Sequence, residues 1–190
     1  MNARLLLWVL TALLSAPSAI AGPTGEPEPE LRALLEAAIA EADSFEHRFD
    51  AEVWLTDMSG RLKNFIKDDV ERLEFLRTLH REAKRARIPP ELALAVIEVE
   101  SYFQRFALST AGAQGYMQIM PFWLDEIATP HDNLFNTQTN LRMGCTILRF
   151  YLDKEKGNLF GALGRYNGSY GKPKYPNKVM RALDRRWHRG

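Results

Sequence analysis

The sequence has little of the chemistry that assigns a function by composition alone. A single cysteine in 190 residues excludes an intramolecular disulfide framework and a zinc cluster built on several cysteines. Basic and acidic residues number 25 and 24, so bulk positive charge does not indicate a nucleic-acid partner. The four histidines are scattered without metal-ligand spacing, and no phosphate or dinucleotide fingerprint occurs. We therefore expect no metal site and no cofactor.

The N-terminus carries an apolar stretch that is too short to span a membrane. Residues 1–21 are typical of a signal peptide: Arg4 gives a positive start, Leu5 to Leu14 are mostly apolar, and Ala19-Ile20-Ala21 matches a small-x-small cleavage site. A bilayer span needs about 20 apolar residues, and the cleavage point has no cysteine for a lipid. We expect export to the periplasm without a transmembrane or lipid anchor. Cleavage would remove one basic residue and no acid, so the mature chain would be neutral.

The remaining chain divides by composition and by the spacing of its apolar residues. Residues 22–30 are rich in proline, glycine and acid, which predicts a linker. Residues 31–87 have apolar positions three and four apart, so we predict an N-terminal helical region. Residues 88–190 continue as helices, with Asn136 and Asn158 as predicted N-caps. No segment alternates as a β-sandwich does, and we predict an all-α fold.

Two glutamates interrupt the apolar segment that begins at Pro90. By alternation alone, residues 96–100 fit a buried strand equally well, although the proline start and the Leu/Ala content favour a short buried helix. A buried carboxylate has a raised pKa and suits a general acid for glycosidic cleavage. On a helix Glu98 and Glu100 face opposite sides, so one of them projects to solvent and they cannot act as a pair. A second acid for glycosidic cleavage would have to come from elsewhere in the chain, where Asp125, Glu126 and Asp132 are available.

Several motifs after residue 88 occur in the order and spacing of a known family. They are Glu100-Ser101, Ser109-x-x-Gly112-Ala113-x-Gly115-x-Met117-Gln118-Ile119-Met120-Pro121, Asn140-Leu141-x-x-Gly144 and Tyr166-Asn167-Gly168. With them the chain resembles the lytic transglycosylases of the soluble-lytic-transglycosylase (SLT) type. The resemblance implies a lysozyme-like catalytic domain over residues 88–190, preceded by the helical region of residues 31–87. It also implies peptidoglycan as the substrate.

The same resemblance implies roles for single residues. The family's catalytic acid is the glutamate directly before serine, here Glu100, and Tyr166 matches the tyrosine that hydrogen-bonds the catalytic carboxyl. We expect a further set of residues to contact the substrate: Ser109, Tyr116, Met117, Gln118, Tyr166 and Asn167. For Ser109 a purely local role, in hydrogen bonds to the loop backbone, is an alternative.

The implied chemistry is peptidoglycan cleavage by one carboxyl that acts first as acid and then as base, leaving 1,6-anhydromuramyl ends. The alternatives are a muramidase that hydrolyses the same bond with a second acid such as Asp125 or Asp132, and a non-catalytic glycan-binding or assembly protein. Residues 31–87 carry no family motif, and we expect them either to support the catalytic domain or to bind a cell-envelope protein.

Overall fold

The computed structural model describes Ser44, residues 47–127 and residues 133–188, with the side chains of residues 125–127 left out. The predicted signal peptide, the linker and the helical pattern of residues 31–43 lie outside the described residues. The helices are α1 (Arg48–Leu62), α2 (Asp69–Arg85), α3 (Pro90–Glu100), α4 (Phe122–Ile127), α5 (Thr137–Lys154), α6 (Leu159–Tyr166) and α7 (Lys174–Ala182), and a π-helical segment (Leu183–Trp187) extends α7.

The all-α prediction is confirmed for the described part of the chain. There the extended pairing is limited to two isolated bridges, Leu108 with Gln114 and Gln114 with Ile119. Both bridges lie in the loop between α3 and α4, where they fold the chain back on itself. None of the helices in the described ranges has the length and apolarity to cross a membrane.

Asparagine caps set the start of α5 and of α6, as the sequence predicted. The Oδ1 of Asn136 accepts a hydrogen bond from the Thr139 amide at 3.0 Å, and Oδ1 of Asn158 accepts one from the Gly161 amide at 3.3 Å. Each cap satisfies an N–H that the first helical turn leaves without a partner.

The segment that ends at Glu100 forms a helix, α3, and not a strand. Its residues from Leu92 to Ile97 are all buried, so this part of the helix is apolar on every side. The alternation of residues 96–100 therefore does not reflect a strand with one buried and one exposed face. The chain then turns sharply, with positive φ at Tyr102 (54°) and Phe103 (61°). That left-handed backbone is unfavourable for these residues. Burial of the Phe103 ring against Trp187, with centroids 5.5 Å apart, offsets the cost.

One hydrophobic core crosses the predicted boundary between residues 87 and 88. It includes the buried faces of α1 and α2 together with α3, α5, α6 and α7. Polar contacts add to the same junction: Nε1 of Trp54 donates to Glu91 at 2.8 Å, and Arg61 donates to the Arg186 carbonyl at 2.7 Å. The described part of the N-terminal helical region therefore packs as a support for the segment that carries Glu100.

The lone cysteine lies within this core. Cys145, on α5, is fully buried, as its place between Leu141 and Leu148 in a helical apolar repeat indicates. Burial raises its pKa to about 12. The thiolate is the nucleophilic form of cysteine, so this side chain acts as an apolar packing group.

Candidate active site

Glu100 is the last residue of α3 and its carboxyl lies half-buried at the mouth of a cavity. The Oη of Tyr175, from α7, donates a hydrogen bond to its Oε1 at 2.5 Å. Burial raises the pKa of Glu100 to about 7, and the bond from Tyr175 acts in the opposite direction by stabilising the carboxylate. At neutral pH this group therefore exists in both protonation states, which suits a side chain that both gives and takes a proton.

The cavity beside Glu100 has a volume of about 320 Å³. Its lining consists of Val99, Glu100, Asn167, Ser169, Lys172, Lys174, Tyr175 and Lys178. Glu100 is the single carboxylate among these described lining residues, whereas three of them are lysines. Asn167 is exposed and lines the same cavity as Glu100. Of the predicted substrate-binding residues, it is the one among the described lining residues of this cavity.

Glu98 lies on the other side of α3 in different surroundings. Its Oε2 accepts a hydrogen bond from Nε1 of Trp187 at 2.8 Å and lies 3.3 Å from Nε of Arg186. Its side chain is 16% exposed. The prediction that the two glutamates face opposite sides is confirmed. The prediction that one of them projects freely to solvent is wrong, because the π-helical segment holds Glu98.

The predicted bond from Tyr166 to the catalytic carboxyl is wrong in this structure, and Tyr175 makes it instead. The Oη of Tyr166 donates to the backbone carbonyl of Met117 at 2.8 Å. Burial raises the pKa of Tyr166, and the charge of Glu100 raises it further. This effect of Glu100 indicates that Tyr166 is nevertheless close to the site. None of the sequence motifs includes Tyr175, whose bond to Glu100 spans 75 residues.

The loop of residues 107–119 is held by its own polar side chains. The Oγ of Ser109 accepts the Ala113 amide at 2.9 Å, which is the local role left open for this serine. Nε2 of Gln118 donates to the carbonyls of Ala107 at 3.2 Å and Gly115 at 2.9 Å. The Ser109 hydroxyl and the Gln118 amide nitrogen were expected to hydrogen-bond sugar acetamides. In the structure both atoms hydrogen-bond the loop backbone instead. Their shown role is to shape the loop.

Asn140 explains Gly115 of the motif, and Met117 explains Gly144. The Oδ1 of Asn140 accepts the Met117 amide at 2.8 Å, and its Nδ2 donates to the carbonyls of Gln114 and Leu134 at 2.9 and 2.8 Å. A Cβ on Gly115 (φ +74°) would lie 2.4 Å from that Nδ2, and a Cβ on Gly144 would lie 2.3 Å from Sδ of Met117. Any other residue at either position would push the loop away from α5.

Tyr116 and Met117 do not face the cleft. The Tyr116 side chain is 2% exposed and packs against Phe75, with ring centroids 4.8 Å apart, while Met117 is 0% exposed and packs against Gly144. This burial does not support contact of either side chain with the glycan, which stays a prediction. Burial raises the pKa of Tyr116 to about 12, with a further increase from the charge of Glu71. Both residues anchor the loop in the core.

The acids that a two-carboxylate mechanism would need lie outside the described part of the chain. Asp125 and Glu126 belong to α4, but their side chains are not described, and Asp132 is not described at all. Among the described residues that line the cavity, Glu100 is the one carboxylate.

The known proteins to which this chain is similar are lytic transglycosylases. The family model described as Transglycosylase SLT domain matches residues 77–186, more than half of the chain. The membrane-bound lytic murein transglycosylase C of Actinobacillus pleuropneumoniae is 42% identical over 53 residues, which cover 28% of this chain and 14% of that protein.

Two solved structures are similar in their helical fold. An inactive mutant of the lytic transglycosylase Slt from Pseudomonas aeruginosa has 22% identity and a TM-score of 0.48, with 81% of this chain and 26% of that chain covered. The 70 kDa soluble lytic transglycosylase of Escherichia coli has 17% identity and a TM-score of 0.43, with 81% and 29% covered. The chain thus spans less than a third of the length of these relatives. Because the family model covers most of the described helices and includes Glu100, the chain belongs to the Transglycosylase SLT domain family.

Proposed function

We propose that this protein is a peptidoglycan lytic transglycosylase. It cleaves the β-1,4 bond between N-acetylmuramic acid and N-acetylglucosamine and leaves 1,6-anhydromuramyl ends. The observation that carries the proposal is Glu100: a half-buried carboxyl with a pKa raised to about 7, hydrogen-bonded by Tyr175, and the single carboxylate among the described residues of its cavity. Family membership supports the same assignment.

In the first step protonated Glu100 donates its proton to the glycosidic oxygen. The bond from that oxygen to C1 of the muramic acid breaks, and the N-acetylglucosamine leaves with a free 4-hydroxyl. Positive charge develops at C1, and the acetamido oxygen of the same muramic acid stabilises it. That contribution from the substrate replaces the second carboxylate of ordinary glycosidases.

In the second step Glu100, now ionised, accepts the proton of the C6 hydroxyl of the muramic acid. The C6 oxygen attacks C1, which closes the 1,6-anhydro ring and returns Glu100 to its protonated form. No water is consumed. A carboxyl with a pKa near the working pH performs both transfers with little cost in either direction. The hydrogen bond from Tyr175 fixes the carboxyl and stabilises its ionised state between the two steps.

We further propose that the protein works in the periplasm, after export by the predicted signal peptide. The described part of residues 31–87 contributes to the core beneath Glu100, which favours a supporting role over a separate partner-binding module. A role for its exposed surface toward a cell-envelope protein remains compatible with that packing.

Product chemistry tests the proposal. Purified protein is incubated with peptidoglycan sacculi, and the soluble muropeptides are analysed by mass spectrometry, with the Glu100→Gln variant as the blank. We expect muropeptides one water lighter than the hydrolysis products, the mass of the 1,6-anhydro form. Reducing ends alone would assign the protein as a muramidase that uses another acid, such as Asp125 or Asp132. Glycan binding without any cleavage would assign it as a binding protein.

A further inference from the structure

Two further cavities share lining residues with the cavity that holds Glu100. A cavity of about 460 Å³, lined in part by Phe160, Tyr170 and Pro176, shares Lys172 with it. A cavity of about 550 Å³ shares Val99 and Lys178 with it. We call the first the aromatic arm and the second the basic arm. Each arm therefore adjoins the central cavity, and Glu100 lines the central cavity but neither arm.

The basic arm has a strong local excess of positive charge. Lys178, Arg181, Arg185 and Arg186 line it, and Glu98 is its one acidic lining residue. Glu98 is already paired with Trp187 and Arg186. Within the described residues no ion pair engages the remaining three cations.

The three cations lie on one face because of their spacing. Lys178, Arg181 and Arg185 follow one another at three and four residues along α7 and its π-helical extension, and all three are exposed. Asp184, the acid of the same segment, does not line the arm. The chain as a whole is almost balanced in charge, so this row of cations is a local feature and not a consequence of composition.

The geometry points to a binding site for acidic peptide, and we propose that the basic arm binds the carboxylates of the peptide stems on peptidoglycan. This inference rests on the proposed function, since it names which part of that substrate the arm contacts. The sugar backbone itself carries its one free carboxylate at the lactyl group, and only when the peptide has been removed. The stem adds several carboxylates farther from the scissile bond, and the basic arm adjoins the cavity of Glu100 without including Glu100 in its lining.

The dimensions of the arm and of a stem agree. From Lys178 to Arg185 the helix rises by about 10 Å, and three residues of extended peptide span about 10 Å. The arm is also a concave cavity, which suits a short chain, whereas a membrane surface would meet a convex face. Complementary charge in such a cavity selects between substrates that share the same reacting bond.

Binding in the absence of turnover tests this inference independently of catalysis. In the Glu100→Gln background, calorimetry compares the affinity for muropeptide tetrasaccharides with tripeptide stems and for the same glycans stripped by an amidase. We expect the stem-bearing glycan to bind about tenfold tighter at low salt, the scale of two or three charge-assisted contacts. We expect the preference to shrink as salt is added.

Two matched double reversals assign the preference to the arm. Arg181→Glu with Arg185→Glu is expected to remove it, whereas Lys84→Glu with Lys154→Glu changes the net charge equally at exposed positions outside the three cavities and is expected to retain it. Arg181→Gln with Arg185→Gln, which keeps the side chains polar, is expected to lose most of it. Thermal unfolding checks that each variant is folded.

The opposing outcomes are distinct. Equal affinity for both glycans, or a stem preference that survives the reversal of Arg181 and Arg185, would overturn the inference. Equal affinity combined with arm-dependent binding to vesicles of phosphatidylglycerol would assign the arm to a membrane surface instead. If the unmutated protein does not cleave sacculi but the stem preference persists, the proposed function fails while the binding site stands.

Discussion

The two sides of α3 use the same functional group for different purposes. On one side Glu98 meets an indole N–H and an arginine, and its carboxylate ties the π-helical segment to the helix. On the other side Glu100 meets a tyrosine hydroxyl at the edge of a cavity, and burial raises its pKa to about 7. Two residues of sequence thus separate a structural carboxylate from the proposed catalytic one. The difference comes from what α7 and its extension bring to each side.

Loss of the Glu100 carboxyl is the sharpest way to separate the two sides. Glu100→Gln keeps the shape of the side chain but removes both the proton donor and the base, so we expect anhydromuropeptide release to fall by about 10³-fold. Glu98→Gln, the matched control two residues away, is expected to fall by less than tenfold. Release rates from sacculi, normalised to folded protein, make the comparison. Equal losses in the two variants would show that the contact with Trp187 matters as much as the proposed acid.

The pH dependence of stability gives a second contrast. A carboxyl with a pKa of about 7 in the folded state and 4.5 as its ordinary value favours folding only while it is protonated. As pH rises from 4.5 to 7 the unfolded chain ionises first, so the native state loses up to about 3 kcal/mol relative to a neutral side chain. We therefore expect Glu100→Gln to unfold at a higher temperature than the unmutated protein at pH 8, and at nearly the same temperature at pH 4.

Calorimetry at the two pH values checks this expectation, with Glu98→Gln as the control that lacks the gain at pH 8. A gain for Glu100→Gln that is equal at both pH values would mean that the substitution acts through packing and not through ionisation.

Two tyrosines near Glu100 give a smaller contrast. Tyr175→Phe removes the hydrogen bond that lowers the pKa of Glu100, so the pKa rises further. If protonated Glu100 starts the reaction, the alkaline limb of the pH–rate profile moves to higher pH. We also expect kcat at neutral pH to fall by about tenfold, because the carboxyl loses its fixed position. Tyr166→Phe removes a bond to the Met117 carbonyl instead and is expected to leave the alkaline limb in place.

A pH–rate profile for each variant decides between the tyrosines. If Tyr166→Phe moved the limb and Tyr175→Phe did not, the sequence-based assignment of Tyr166 to the catalytic carboxyl would be restored.

The fold was predictable where the signals are local. Asn136 and Asn158 identify helix starts because a cap and its partner lie three residues apart, and the burial of Cys145 follows from its place in an apolar repeat. The choice of helix over strand at the end of α3 needed the proline at its start. Each of these inferences uses neighbours within a few residues, and the structure agrees with each of them.

The site was predictable only in part, because its contacts are distant in sequence. Glu100 was identified from the Glu-Ser motif and from its apolar surroundings. The bond from Tyr175 joins residues 75 positions apart, and no local pattern indicates it. Tyr116 and Met117 belong to the loop motif that resembles the family, but the sequence does not show which side chains of this loop point into the core. In the structure both of these side chains are buried there. The motif mixes residues that make the site with residues that build the loop beneath it.

The smallest effect that we predict tests the structural carboxylate. Glu98→Gln keeps an oxygen that accepts from Trp187 but loses the charge that attracts Arg186, so the expected loss of unfolding free energy is about 1 kcal/mol at neutral pH. Urea denaturation measures it, and added salt is expected to reduce the difference because Arg186 is exposed. Arg186→Gln provides the second arm of a double-mutant cycle, with non-additive losses expected. Stabilisation by Glu98→Gln at pH 8, as expected for Glu100→Gln, would mean that both carboxylates are held at a cost. The two sides of α3 would then differ in geometry but not in energy.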